Sequence, residues 1–131
     1  MTAPDLSKFE LFEPILDFRM GNEYIDLHND YYCNEIKEIP EKQNIIMYFL
    51  PVAKGKIIAI EFEQAQLAVA KFNLNDKTKY STLNNFHRGK FILPTNLLNE
   101  TNANEQKYFY LDFYEGQHLE IMAKQIVPFY A

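Results

Sequence analysis

Two apolar alternations facing each other across a short gap constrain the fold of this chain more than any other feature. Ile45, Met47 and Phe49 alternate along one side of an extended segment, and Ile58, Ile60 and Phe62 repeat the pattern a few residues later. A period of two marks a half-buried strand. A four-residue loop from Val52 to Gly55 sets Phe49 opposite Ile58, Met47 opposite Ile60 and Ile45 opposite Phe62. Loop length and pattern then agree on one face, which is what register demands. Pro51 falls at the strand end, where a missing donor costs little.

A second hairpin is expected near the C-terminus. Phe109, Leu111 and Phe113 alternate with Tyr108, Tyr110, Asp112 and Tyr114, and Leu119, Ile121 and Ala123 alternate with His118, Glu120, Met122 and Lys124. A three-residue loop, Glu115 to Gln117, pairs Phe113 with Leu119 and Leu111 with Ile121. Shorter strands are expected over Tyr24–Leu27, Tyr31–Ile36 and Lys90–Leu93, the first two meeting at Asn29-Asp30. Gln64–Leu74 fits either a short helix or a buried strand. Its continuity with Phe62 and the asparagines that follow favour strand. Asn75–Asn85 reads as a polar loop, and Leu97-Leu98 as a single helical turn. Thr2-Ala3-Pro4-Asp5 has the form of a helix start, with Leu6, Phe9 and Phe12 along one face before Pro14.

These elements imply a mainly β fold. The expected architecture is an antiparallel β-sandwich or open β-barrel of six to eight short strands with a short N-terminal helix. At 131 residues, with no internal repeat and no long linker, residues 1–131 are expected to form a single domain. Eleven Phe and nine Tyr without a Trp support sheet, because aromatic side chains suit a pleated, half-buried surface.

Charge narrows the choice of partner. The net charge is −5, and residues 1–50 hold ten acids against four bases. A nucleic-acid binder shows a basic footprint, so nucleic acid is not an expected partner. No apolar run is long enough to cross a bilayer, and no basic-then-apolar leader opens the chain, so a cytoplasmic protein without membrane contact is expected. With Cys33 alone there is neither an internal disulfide nor a cysteine zinc site, and Cys33 reads as a buried thiol.

Three clusters carry candidate chemistry. The outer face of the C-terminal hairpin holds Tyr108, Tyr110, Asp112, Tyr114, His118 and Glu120, and the expected register sets Asp112 directly opposite Glu120. Like charges facing across strands repel, and a cation from a partner would relieve them. Tyrosines beside acids make a good protein-binding surface. Asp26, His28 and Asp30 alternate and would share a side if extended. A metal site or a general base is conceivable there, but a polar turn explains the same residues. His87-Arg88-Gly89-Lys90 is locally basic and is expected to lie in or beside a loop, where it falls short of a stacking platform with a basic groove.

No glycine-rich phosphate loop, serine elbow, paired zinc ligands or calcium loop occurs, so no catalysis, cofactor or metal is expected. The leading expectation is a non-catalytic protein-interaction module. Its form is an acidic inhibitor of the immunity type that neutralises a basic partner, such as a nuclease or toxin domain, through the hairpin face with Asp26 and Asp30. The alternatives are a small-ligand-binding barrel with a cavity lined by Met47, Phe49, Phe62 and Phe109, and a subunit that pairs through an exposed strand edge.

Overall fold

The computed structural model describes residues 10–71, 82–92, 98–99, 101–102, 104–114 and 116–131. Among them run twelve strands: β1 (Glu10–Pro14), β2 (Asp17–Met20), β3 (Glu23–Asp26), β4 (Tyr31–Ile39), β5 (Asn44–Pro51), β6 (Ile58–Glu63), β7 (Gln66–Lys71), β8 (Leu83–Ile92), β9 (Leu98–Asn99), β10 (Lys107–Phe113), β11 (His118–Ala123) and β12 (Gln125–Tyr130). Every pairing is antiparallel. One sheet runs β1-β8-β10-β11-β7 with β9 joined to β8, a second runs β12-β6-β5-β4, and β2-β3 form a small third.

The expected pairing at the centre is present. Phe49 opposes Ile58, Met47 opposes Ile60 and Ile45 opposes Phe62. Their common face packs against the apolar face of the six-stranded sheet, making a β-sandwich with one shared core. The Phe62 ring lies 5.6 Å from Phe109, edge-on, and 6.0 Å from Phe86. Each such side chain contributes roughly 1.5–3 kcal/mol on burial. Ile25 and Leu27 enter the same core from β3 and the turn after it.

The chain passes between the sheets at Gln64-Ala65 and at Lys124. Asn44, 8% exposed, fastens the first crossing: its Nδ2 donates to Glu61 Oε2 at 2.8 Å, and its Oδ1 accepts from Gln64 N at 3.0 Å. Gln64 itself takes a left-handed φ of 47°, so the corner needs a firm anchor.

Several expectations are corrected. The Thr2 helix start lies outside the described residues, while Glu10–Pro14 forms strand β1 against β8. Pro14 ends that edge strand, a position that tolerates the lost donor. The strand count exceeds six to eight because β1, β2 and β12 were not expected and because two-residue β9 replaces the helical turn at Leu98, while β8 begins at Leu83, inside the expected loop. Pairing with β10, in which Asn85 lies opposite Asp112 and Leu83 opposite Phe113, overrides the turn preference of Asn84-Asn85. The basic run His87 to Lys90 lies in the middle of that strand, not in a loop. Residues 66–71 are strand, as expected.

The C-terminal hairpin keeps its faces but not its register. Leu111 opposes Leu119 and Phe109 opposes Ile121, a slip of two residues from the expected pairing. Phe113 leaves that pairing: its N–H donates to Gln117 O at 2.9 Å, and it lies opposite Leu83 of β8. Gly116, with φ 89°, supplies the left-handed position that this wider turn needs.

Candidate functional site

Alternation along β10 and β11 turns Tyr108, Tyr110, Asp112, His118, Glu120 and Met122 away from the sandwich core. The observed register sets Asp112 opposite His118, Tyr110 opposite Glu120 and Tyr108 opposite Met122. Asp112 and Glu120 therefore do not confront each other, and the repulsion expected there is absent. Each carboxylate has donors. Asp112 accepts from Asn85 Nδ2 at 3.0 Å and from the Tyr110 hydroxyl at 3.1 Å. Glu120 accepts from the Tyr108 hydroxyl, and His118 Nε2 lies 3.5 Å from its other oxygen. The His118 ring stacks on Tyr110 at 5.8 Å.

This network is half inside the protein. Tyr108 and Met122 are fully buried and form a small second cluster with Ala68 and Tyr110. Burial first, then the hydrogen bond to Glu120, pushes the Tyr108 hydroxyl far above the usual tyrosine range. Tyr110 is raised by burial and then by Asp112. Both phenols stay neutral donors at physiological pH. His87 faces the same side from β8, opposite Tyr110, and its Nδ1 is buried without a hydrogen-bond partner.

A different surface collects the exposed acids. In the β2–β3 hairpin Asp17 lies directly opposite Asp26, and Arg19 lies opposite Tyr24. Tyr24, 55% exposed, donates to Asp17 Oδ2 at 2.5 Å. That bond, with lesser contributions from burial and from the charges of Asp17, Asp26 and Asp30, pushes its pKa up to about 12. Tyr130 donates to Glu23 Oε2 at 2.6 Å and is likewise pushed up to about 12, chiefly by that bond. Lys56 Nζ sits 4.9 Å above the Tyr130 ring.

The Asp26-His28-Asp30 run is a turn, not an extended segment. Asp30 N donates to Asp26 O at 3.0 Å, closing it. The Asp26 carboxylate accepts from the backbone N–H groups of His28 and Asn29, both at 3.1 Å, and from Asn29 Nδ2 at 2.8 Å. Burial works against its charge, but these donors outweigh burial and hold its pKa below the usual value. The His28 ring bridges two strands' worth of structure, with Nδ1 2.8 Å from Leu83 O and Nε2 3.1 Å from the Tyr114 hydroxyl. Tyr114, 62% exposed, thereby joins His28 in this turn, away from its neighbours on β10.

The expected contact residues thus divide. Tyr108, Tyr110, Asp112, His118 and Glu120 form the half-buried network, and Tyr114, Asp26 and Asp30 lie at the turn that follows β3. Sequence reading missed Asp17, Glu23 and Tyr24 because it did not pair β2 with β3. The signal was present in Gly21-Asn22, a two-residue hairpin turn whose glycine has φ 62°. It also missed Asn85, the donor to Asp112, which was assigned to a loop.

Cys33 is a free thiol, 3% exposed, and burial pushes its pKa up to about 12. Met47, Phe49, Phe62 and Phe109 belong to the packed core cluster. An open cleft of about 720 Å³ lies at one end of the sandwich, with Glu38, Gln43, Gln64, Gln66, Gln106 and Lys124 among its walls. Among the described residues no three His, Cys, Asp or Glu side chains are placed to share a metal ion. Nor is any helix among them long and apolar enough to cross a membrane. In comparisons with known proteins the chain matches no family model, no curated protein and no solved structure.

Proposed function

We propose that this chain is a non-catalytic, cytoplasmic protein-binding module: an acidic inhibitor of the immunity type that covers a basic partner such as a nuclease or toxin domain. The observation that carries the reading is the hairpin surface, where Asp17 faces Asp26 beside Glu23, Asp30 and exposed Tyr24. Facing carboxylates repel, and an arginine or lysine from a partner relieves that repulsion while packing on tyrosine. Steering by the acidic residues of the first half of the chain would speed encounter with such a partner.

The half-buried network has a supporting part. Its carboxylates lie half-buried against Asn85, Tyr110 and Tyr108, and there they stiffen the sheet.

The test is affinity capture from native lysate at low and moderate salt, with wild type and a D17K/D26K variant side by side. A stoichiometric basic protein held by wild type, released by salt and lost in the variant supports the reading. The same proteins on both baits would remove the hairpin from consideration.

A further inference from the structure

The four-stranded sheet ends on β4, which among the described residues pairs only with β5. An edge strand turns half of its backbone donors and acceptors outward, a template for another strand. The other strands that end the order of the two larger sheets carry interruptions. β12 has Pro128, β1 has Pro14 and a register shift, and β7 is shifted against β11 between Glu120 and Ile121. The shift in β4 falls early, between Cys33 and Glu35, leaving Glu35 to Ile39 regular. Along that stretch Asn34, Glu35, Lys37 and Glu38 are exposed, so the edge is open to solvent.

From this edge we infer that the chain forms a two-fold homodimer by antiparallel pairing of β4 with β4 of a second copy, centred on Ile36. The charge pattern chooses the occupant and the register. Two copies of one strand extending a sheet are related by a two-fold axis normal to it. Residues opposite each other then share a face, so the axis passes through a residue position. Centring on Glu35, Lys37 or Glu38 sets a charge against its own copy. Centring on Ile36 sets Glu35 opposite Lys37 of the second copy and Lys37 opposite its Glu35, two attractive pairs on the outer face. Ile36, which opposes Met47 and packs at the margin of the core, then meets Ile36 on the inner face and extends the apolar layer. The paired stretch is short, so the dimer is weak and dependent on concentration.

The experiment is sedimentation velocity on the full chain up to about 1 mM, at an ionic strength where repulsion between the two acidic copies is screened beyond about 8 Å. Wild type should show a reversible monomer–dimer equilibrium. E35K and K37E each turn both attractive pairs into repulsive ones and should weaken dimerisation by roughly ten- to a hundredfold. The double variant E35K/K37E should restore it. So should an equimolar mixture of the two single variants, because lysines at both positions of one chain then face glutamates at both positions of the other. That rescue also shows that neither substitution harms the fold. A monomer at every concentration overturns the inference. A dimer indifferent to both reversals, or one that the mixture fails to restore, also overturns it by placing the contact elsewhere.

Discussion

Tyr108→Phe removes one hydroxyl from a fully buried ring and leaves its volume almost unchanged. The hydroxyl donates to the Glu120 carboxylate, so its loss at pH 8 should cost about 2 kcal/mol, within the range for a hydrogen bond to a charged group. That cost should depend on pH in a set direction. Burial and Glu120 raise the Tyr108 pKa in the folded protein, whereas an unfolded tyrosine titrates near pH 10. The stabilisation is therefore complete below pH 10 and drains as pH rises, because only the unfolded chain gains by losing the proton. At pH 11 linkage removes about 1.4 kcal/mol from wild type relative to the phenylalanine variant, which has no proton to lose. The gap between the two proteins should shrink from about 2 to about 0.6 kcal/mol. Urea unfolding followed by far-ultraviolet circular dichroism at pH 8 and pH 11 measures it, free of the change in tyrosine fluorescence on ionisation. Cys33 and the other tyrosines titrate in both proteins and cancel in the difference. A gap as wide at pH 11 as at pH 8 would refute the buried donor–carboxylate reasoning.

Asn44→Ala should cost about 1–3 kcal/mol in urea unfolding, because Gln64 N–H loses its acceptor and Glu61 a donor at the corner between the sheets. A loss under about 0.5 kcal/mol, the level of an ordinary surface change, would show that the corner holds without it. Cys33, its thiol raised to about 12 by burial, should resist alkylation at pH 8 in native buffer and react at a rate that climbs with added urea. Prompt stoichiometric labelling without denaturant would contradict the burial of that side chain.

The central and C-terminal hairpins show why one register was legible in the sequence and the other was not. Along β5 and β6 the apolar alternation and the short connection lead to the register the structure has, although the connection runs over residues 52–57 and does not end at Gly55. Along β10 and β11 the alternation is equally clear, yet a shift of two residues returns every side chain to the same face. Pattern alone cannot separate those registers. The choice is made by β8, whose Leu83 takes Phe113 as its opposite and draws it out of the hairpin ladder. β8 was only partly visible beforehand, since its first three residues, Leu83-Asn84-Asn85, read as loop by local preference. A contact distant in sequence therefore decided a feature that looked local.

The same slip changes which acids face one another. With the expected register, Asp112 and Glu120 face each other and wait for a cation. With the observed one, each has neutral donors, and the acids that face each other are Asp17, bonded to Tyr24, and Asp26, bonded to the His28-Asn29 turn, on a hairpin that only Gly21-Asn22 announced. Counting carboxylates on a face does not separate these cases, because both faces carry acids beside tyrosines. The geometry of the phenols does. Tyr108 is fully buried with its hydroxyl turned back to Glu120, whereas Tyr24 is more than half exposed above Asp17. A buried tyrosine spends its donor within the sheet, while an exposed one leaves its ring free to pack against an incoming arginine or lysine. That difference is the reason the proposed contact surface is the hairpin and not the sheet network, whose phenols are committed within the protein.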